Sequence, residues 1–259
     1  IGVVSAVDIV VTAALAAEAE LGSPPSTSVY VQIAKIYEGL NRSEDVLAAL
    51  LAARRVNPSD PLVLAELARI YEGLARFEEL AEVLRSGLSG THQVDEFVSM
   101  SLRLGSISEE LKRFDEAEGV YRAALTRSPS HVGLLSAMGK LYFQTQNWEG
   151  LFGVYEAEAK ASGDPRQRAD RLFRAAEVAE LHLNQIDRSI DLYEGSLAQA
   201  PEFLPAITAL KRLYEKTNRW SDLIGRYEVD CLHTHDRDQQ LELFHKIYAI
   251  YDERLGDVP

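Results

Sequence analysis

The chain has 259 residues, of which 46% are hydrophobic, so it can bury a continuous core and its composition argues against disorder. Its 40 acidic and 27 basic side chains give a net charge of −13, which argues against nucleic acid or anionic membrane surfaces as main partners. The single cysteine, Cys231, has no second thiol for an internal disulfide, so cysteine usage implies no oxidising compartment.

The first segment, residues 3–17, is apolar, but it contains Asp8 and lacks a basic flank. It is too short for a membrane span and unlike a signal peptide. We expect residues 1–26 to form an N-terminal helix or cap, or the remnant of a preceding repeat. The chain opens at Ile1 without a methionine and closes at Pro259 inside a predicted seventh unit, so we expect a piece of a longer protein. A cytoplasmic location is expected, with the periplasm as the alternative.

From residue 27 onward the chain repeats itself. Residues 33–45 read IAKIYEGLNRSED, and residues 67–79, 34 positions later, read LARIYEGLARFEE. A period in this range indicates a solenoid, in which each unit buries its apolar face against its neighbours. Residues 238–259 are predicted to hold the first helix of a truncated seventh repeat. The six complete repeats are predicted at residues 27–60, 61–97, 98–131, 132–169, 170–203 and 204–237.

Each repeat predicts two helices, because its apolar residues recur at intervals of three and four. A short polar turn separates the helices, and a proline near the end of several repeats stops the second one. Small residues at the eighth position allow the helix backbones to approach closely. The extra residues of the two longer repeats, 95–97 and 167–169, are expected ahead of the first helices. The small residues are Ala34, Ala68, Gly105 and Gly139, and the prolines are Pro58, Pro129 and Pro201.

Tyrosines at the eleventh and twenty-fourth positions also recur at helical spacing. This pattern predicts core residues rather than a ligand site, because a tyrosine buries a large apolar ring. The tyrosines are Tyr37, Tyr71, Tyr142 and Tyr214 at the eleventh position, and Tyr121, Tyr155, Tyr193 and Tyr227 at the twenty-fourth.

The spacing of small, aromatic and proline residues resembles the tetratricopeptide repeat, most completely in the third repeat, from Gly105 through Ala117 and Tyr121 to Pro129. The resemblance implies an all-α fold, a right-handed α-solenoid superhelix of stacked helix-turn-helix repeats. The sequence departs from the family pattern at Glu177 and Lys211, which stand where a small residue is usual. Looser packing is expected in those repeats.

The resemblance also implies that the first helices line a concave groove that faces a ligand. Basic side chains at groove positions favour an acidic peptide or a partner's C-terminal carboxylate. Most cations at the ninth position are predicted to pair with a glutamate three residues later in the same helix. Positive charge is expected to be less compensated near the middle of the groove, around Lys140 and Phe143, where the neighbouring helices offer Arg103, Arg171 and Arg174. The candidate groove residues are Lys35, Arg69, Arg103, Lys140, Phe143, Arg171, Arg174 and Arg212.

The predicted function is a non-enzymatic protein–protein interaction scaffold that binds a peptide or helix of a partner in this groove, without a cofactor. Phosphate-binding loops, metalloprotease motifs and nucleophile elbows are absent from the sequence. Two alternatives stay open. The chain could be a structural or oligomerisation module of a longer repeat protein, which would self-associate through exposed end helices, or a regulatory domain of a multidomain enzyme.

Near the end of the sixth repeat, Cys231, His233 and His235 alternate and form a weak candidate for a metal site. A second cluster at zinc-finger spacing is missing, so the segment is predicted to be an ordinary polar linker and no metal is expected.

Overall fold

The computed structural model describes residue 12 and residues 26–256, and it divides the chain into two compact units, Ile1–Pro129 and Ser130–Pro259. Every regular element in the described part is helical. The first unit contains α1 (Thr27–Gly39), α2 (Ser43–Val56), α3 (Pro61–Gly73), α4 (Phe77–Gly90), α5 (Val94–Glu110) and α6 (Phe114–Arg127). The second contains α7 (Val132–Gln144), α8 (Trp148–Ala161), α9 (Pro165–Leu181), α10 (Ile186–Gln199), α11 (Leu204–Lys216), α12 (Trp220–His233), α13 (Arg237–Ile250) and a π-helical turn (Tyr251–Leu255).

Within each unit, every helix packs against the helix that follows it in the chain. In the first unit the contacts run without interruption from α1 to α6, and in the second from α7 to α13. Each unit is therefore a stack of helix-turn-helix repeats, which confirms the predicted all-α repeat fold. The division of the chain at the six predicted repeat boundaries remains a prediction.

The turn between the two helices of each pair contains one residue with a left-handed backbone conformation, and in none of the six turns that the structure describes is this residue glycine. The helix before the turn ends in a Schellman-type cap, in which a backbone N–H donates a hydrogen bond to the carbonyl of the residue five positions earlier. Examples are Arg76 N to Tyr71 O at 2.9 Å and Arg219 N to Tyr214 O at 2.8 Å. The turn therefore gives the second helix a defined start. The left-handed residues stand at the fifteenth position of the six predicted repeats: Asn41, Ala75, Lys112, Gln146, Asn184 and Asn218, with φ from 53° to 59°.

Helix ends follow signals in the sequence. Asp60 caps α3 by accepting hydrogen bonds from the backbone N–H groups of Leu62 and Val63, and Pro61 occupies the first helical position. Asp164 caps α9 in the same way, again followed by a proline. At the other ends, α2, α6 and α10 stop two residues before Pro58, Pro129 and Pro201, as predicted.

The extra residues of the longer repeats lie inside the first helices, and their predicted place ahead of those helices is wrong. Helices α5 and α9 have 17 residues each, whereas α1, α3, α7 and α11 have 13. The added turn buries Phe97, whose ring lies 3.6 Å from the Arg127 guanidinium, and Ala169, whose carbonyl accepts a hydrogen bond from Ser196 Oγ at 2.8 Å. These contacts favour the longer helices.

The predicted tyrosine core is confirmed for seven of the eight residues, and Tyr155 is half-buried. Several buried hydroxyls donate to a glutamate, as Tyr121 does to Glu109 at 2.7 Å and Tyr214 to Glu194 at 2.6 Å. Burial raises the pKa of Tyr121 and Tyr214 above the ordinary range, and these hydrogen bonds raise it further. The tyrosines are therefore neutral structural donors.

The expected looser packing is confirmed for the repeat with Lys211, because α11 and α12 contact each other less than the two helices of any other repeat. It is wrong for the repeat with Glu177, where α9 and α10 have the most extensive contact. The Lys211 ammonium forms an ion pair with Asp230 of α12 and lies 5.0 Å from the centre of the Tyr227 ring. Arg226 reaches the other oxygen of the same carboxylate at 2.9 Å. Here a charged pair replaces the contact between small residues, so the two helices remain joined. Glu177, the other departure, pairs with Arg174 at 3.3 Å.

The predicted N-terminal helix or cap, residues 1–26, lies almost wholly outside the described residues, as does the apolar stretch 3–17. Helix α13 and its π-helical turn cover most of the predicted terminal helix, and Leu241, Phe244 and Tyr248 on it are exposed. None of the described helices has the length and apolar character needed to cross a membrane.

Candidate functional site

All eight candidate groove residues lie on the first helix of a helix pair. They divide between the two units, so they form two groups rather than one described site. The first unit carries Lys35, Arg69 and Arg103, and the second carries Lys140, Phe143, Arg171, Arg174 and Arg212.

In the first unit, the arginines pair with glutamates of the preceding first helix. Arg69 reaches Glu38 at 2.8 Å, and it also pairs with Glu66 of its own helix at 2.8 Å. Arg103 reaches Glu72 at 2.8 Å. The predicted pairing of Arg69 with Glu72 is therefore wrong, because Glu72 lies closer to the next helix pair. These contacts join successive repeats.

In the second unit, Arg212 binds a buried carboxylate that sequence reasoning missed. The Glu180 side chain is only 4% exposed and lies 2.6 Å from the Arg212 guanidinium. It also accepts a hydrogen bond from the Tyr193 hydroxyl at 3.2 Å. The hydrogen bond to Glu180 raises the pKa of Arg212. One carboxylate thus connects α9, α10 and α11, and this role is structural.

Arg171 and Arg174 are also compensated. Arg171 lies 3.2 Å from the largely buried Glu158, and Arg174 lies 3.3 Å from Glu177. Burial raises the pKa of Glu158, while the charge of Arg171 lowers it. The expectation of less compensated positive charge is therefore wrong for both arginines, and for Arg103 as well, because each has a carboxylate within ion-pair distance.

Lys140 and Phe143 differ from the arginines among the candidates. Lys140 is exposed and forms no ion pair within residues 26–256. Lys35 is also exposed and forms no ion pair in this described part of the chain, so its predicted pairing with Glu38 is wrong. Phe143, one helical turn after Lys140, is 63% exposed, and its ring meets the Trp148 ring edge-on with centroids 6.0 Å apart. Trp148 in turn stacks on His182, with centroids 3.6 Å apart and an interplanar angle of 11°. We call Phe143, Trp148 and His182, together with Leu181, which precedes His182 at the end of α9, the aromatic patch.

The aromatic patch breaks a pattern at the twelfth position of the repeats. Four repeats carry a glutamate there, and these glutamates bind arginines or tyrosine hydroxyls. The fourth and fifth repeats carry Phe143 and Leu181 instead, and Leu181 is 66% exposed. Aligning the twelfth position would have revealed this exchange. The glutamates are Glu38, Glu72, Glu109 and Glu215.

The weak metal candidate has poor geometry for a shared ion. Cys231 and His233 lie in the last turn of α12, so the prediction of a linker is wrong for this part. Residues two apart on a helix point about 200° apart, and Cys231 is buried while His233 and His235 are exposed. Within residues 26–256 no group of three His, Cys, Asp or Glu side chains is placed to hold a metal ion.

Comparisons with known proteins return repeat proteins. A family model for the tetratricopeptide repeat matches residues 98–131. Curated protein sequences give no match. A tetratricopeptide repeat protein from Parabacteroides merdae is 18% identical, over 88% of this chain and 87% of that chain, with a TM-score of 0.45. YrrB, described as a TPR protein with an unusual peptide-binding site, is 16% identical over 77% and 96%, also at 0.45.

A chain of the Naa15/Naa10 complex bound to HypK-THB is similar at a TM-score of 0.58 and 13% identity. The likeness covers 95% of this chain and 39% of that chain, and it shows a shared fold. The family match falls on α5 and α6, the helix pair that contains Gly105 and Tyr121. The match identifies residues 98–131 as a tetratricopeptide repeat, and the other helix pairs of both units have the same helix-turn-helix arrangement.

Proposed function

We propose that the chain is a non-catalytic protein-interaction module and that the aromatic patch, with Lys140 beside it, contacts the partner. The observation that carries this proposal is the exposure of Phe143 and Leu181 at a position where four other repeats place a glutamate. Exposed apolar side chains that lie close together are typical of binding surfaces, and aromatic residues dominate binding energy at such surfaces.

The partner segment fits this surface if it combines an apolar anchor with an acidic residue. The anchor would cover the Phe143 and Leu181 side chains, and the acidic residue would lie near the Lys140 ammonium. The arginines among the candidates are engaged in ion pairs between or within helices, so in this proposal they hold the repeats in place. A rigid stack lowers the entropic cost of binding, because only the partner segment has to become ordered.

The double substitution Phe143→Glu with Leu181→Glu tests the proposal. It introduces the residue type found at the equivalent position of four other repeats, so the fold should be retained. We expect a partner recovered from a lysate of the source organism, and identified by mass spectrometry, to bind the double variant about 30-fold or more weakly, as when a hot spot is lost. The dissociation constant with the purified partner gives the measurement.

Leu62→Glu provides the matched control. Leu62 is 71% exposed on α3 of the first unit, outside the aromatic patch, so its substitution should leave the partner's affinity unchanged. Equal affinity of the wild-type chain and the double variant, with unaltered circular dichroism, would contradict the proposal. A loss shared by both variants would show a general effect of added negative charge.

Self-association through α13 is a second candidate function, favoured by the exposure of Leu241, Phe244 and Tyr248 on that helix. We expect sedimentation velocity to show a concentration-dependent dimer for the wild-type chain and a monomer for Phe244→Glu, because a buried glutamate at the interface would be desolvated. A wild-type chain that stays monomeric at high concentration would rule this candidate out.

A further inference from the structure

The first unit contains a cleft that is separate from the aromatic patch. It lies between α3, α4 and α5 and has a volume of about 400 Å³. Apolar or small residues line one side of it: Leu64, Ala65 and Ala68 from α3, Gly87 from α4, and Met100 from α5. Polar residues also line it, among them Ser59, Ser86, Thr91, His92 and Gln93. A pocket of this size and lining is of the kind that holds an apolar ligand group.

The cleft exists because small residues replace larger ones where the second and third repeats meet. Gly87 stands at the twenty-seventh position, where the first and third repeats have alanine, and Gly90 ends the same helix. A methyl group on Gly87 would lie 3.2 Å from the Met100 sulfur, so the thioether covers the glycine. The small residues Ala65, Ala68, Gly87 and Gly90 therefore leave the space that the cleft occupies.

Water is a poor occupant of the apolar side of the cleft. Waters against Leu64, Ala68 and Met100 find few hydrogen-bond partners there, so their release by an apolar group is favourable.

Arg103 at the mouth of the cleft indicates the charge of the ligand. Its Nη2 group donates to Glu72 at 2.8 Å, while its Nε and Nη1 groups have no partner among the described residues. These remaining donors can bind a second carboxylate. Glu96, two helical turns earlier on α5, also borders the cleft and repels an anion. The acidic group of a ligand is thereby directed to the Arg103 side.

We propose that this cleft binds one large apolar side chain of a partner segment that carries an acidic residue next to it. The apolar side chain enters between α3 and α5, and the neighbouring carboxylate meets the free donors of Arg103. This site is independent of the aromatic patch in the second unit, so either site can be disproved without the other.

A substitution that fills the cleft tests whether an apolar side chain binds there. The probe is a short peptide, capped at both ends, with one leucine between two glutamates, and its binding is measured by titration calorimetry or by NMR shifts. We expect saturable binding to the wild-type chain and at least tenfold weaker binding to Ala65→Phe. Ala65 is exposed on α3, so a phenylalanine there can occupy the cleft without disturbing the core. Ala123→Phe, at an exposed position of α6 outside the cleft, should bind as the wild type does.

A second set of variants tests the contact between the ligand carboxylate and Arg103. Arg103→Gln should weaken binding about two- to fivefold, the range of an exposed ion pair, whereas Arg69→Gln should leave it unchanged. A peptide with alanine in place of leucine should not bind. Absence of saturable binding to the wild-type chain, or equal binding to wild type and Ala65→Phe, would overturn the proposal. Loss of peptide binding in the Phe143→Glu/Leu181→Glu variant would also overturn it, since that variant leaves the cleft intact.

Discussion

Replacement of Gly105 by alanine is expected to destabilise the third repeat by about 3 kcal/mol, the upper part of the range for overpacked cores. A Cβ atom on Gly105 would lie 2.1 Å from Cε1 of Tyr121. The ring has little room to move, because Tyr121 is fully buried and its hydroxyl donates to Glu109 at 2.7 Å. Helices α5 and α6 would have to separate. Urea unfolding followed by circular dichroism measures the change in the free energy of unfolding.

Gly119→Ala is the matched control for this substitution. Gly119 lies in the middle of α6 in the same repeat, is exposed, and has no atom within 4 Å of an added Cβ. Alanine there should stabilise the helix by about 0.5–1 kcal/mol, because glycine loses more backbone entropy on folding. Effects of the same sign and size in the two variants would show that helix propensity, and not the contact with Tyr121, determines the outcome.

The fold was predictable from the sequence because its main determinants are local and repeated. Apolar intervals of three and four predict the helices, and prolines such as Pro58 and Pro129 mark their ends. The starts of α5 and α9 were missed because they depend on tertiary contacts. The added turns are held by the burial of Phe97 and by the hydrogen bond between Ser196 and the Ala169 carbonyl, and neither contact follows a local pattern.

The candidate site was predictable only in part, because ion pairs between helices need three-dimensional geometry. Sequence reasoning paired Arg69 with Glu72 of its own helix, but in the structure Arg69 binds Glu66 of that helix and Glu38, 31 positions earlier. Phe143 was recognised from its groove position. Its contact with Trp148, and the stacking of Trp148 on His182, depend on how neighbouring helix pairs align.

The acidic excess of the chain has a structural use as well as a solubilising one. Glutamates such as Glu38 and Glu72 bind arginines of the next repeat and so connect adjacent helix pairs. Exposed pairs of this kind are individually worth no more than about 1 kcal/mol, yet they recur along both units. These glutamates also neutralise most of the cations at the groove positions. Binding specificity is therefore expected from the few places where this pattern stops, namely the aromatic patch and the cleft beside Arg103.

Asp230→Ala is expected to destabilise the second unit by about 2–3 kcal/mol, somewhat less than the loss of one partner in a fully buried ion pair. Asp230 compensates two largely buried cations, Lys211 from α11 and Arg226 from α12. Its removal leaves both positive charges close together without a carboxylate. Lys211→Ala should cost less, because Asp230 then still binds Arg226. Thermal or urea unfolding of the three proteins gives the comparison.

Asp222→Ala in the same helix is the control for Asp230→Ala. Asp222 pairs with Arg219 at 2.8 Å, but both side chains are well exposed, so its loss should cost no more than about 0.5 kcal/mol. A cost for Asp230→Ala as small as that for Asp222→Ala would mean that Lys211 and Arg226 find water when the carboxylate is gone. A clearly larger cost for Asp230→Ala would show that the ion pair of Lys211 with Asp230 holds α11 against α12, as contacts between small residues hold the helices of other repeats.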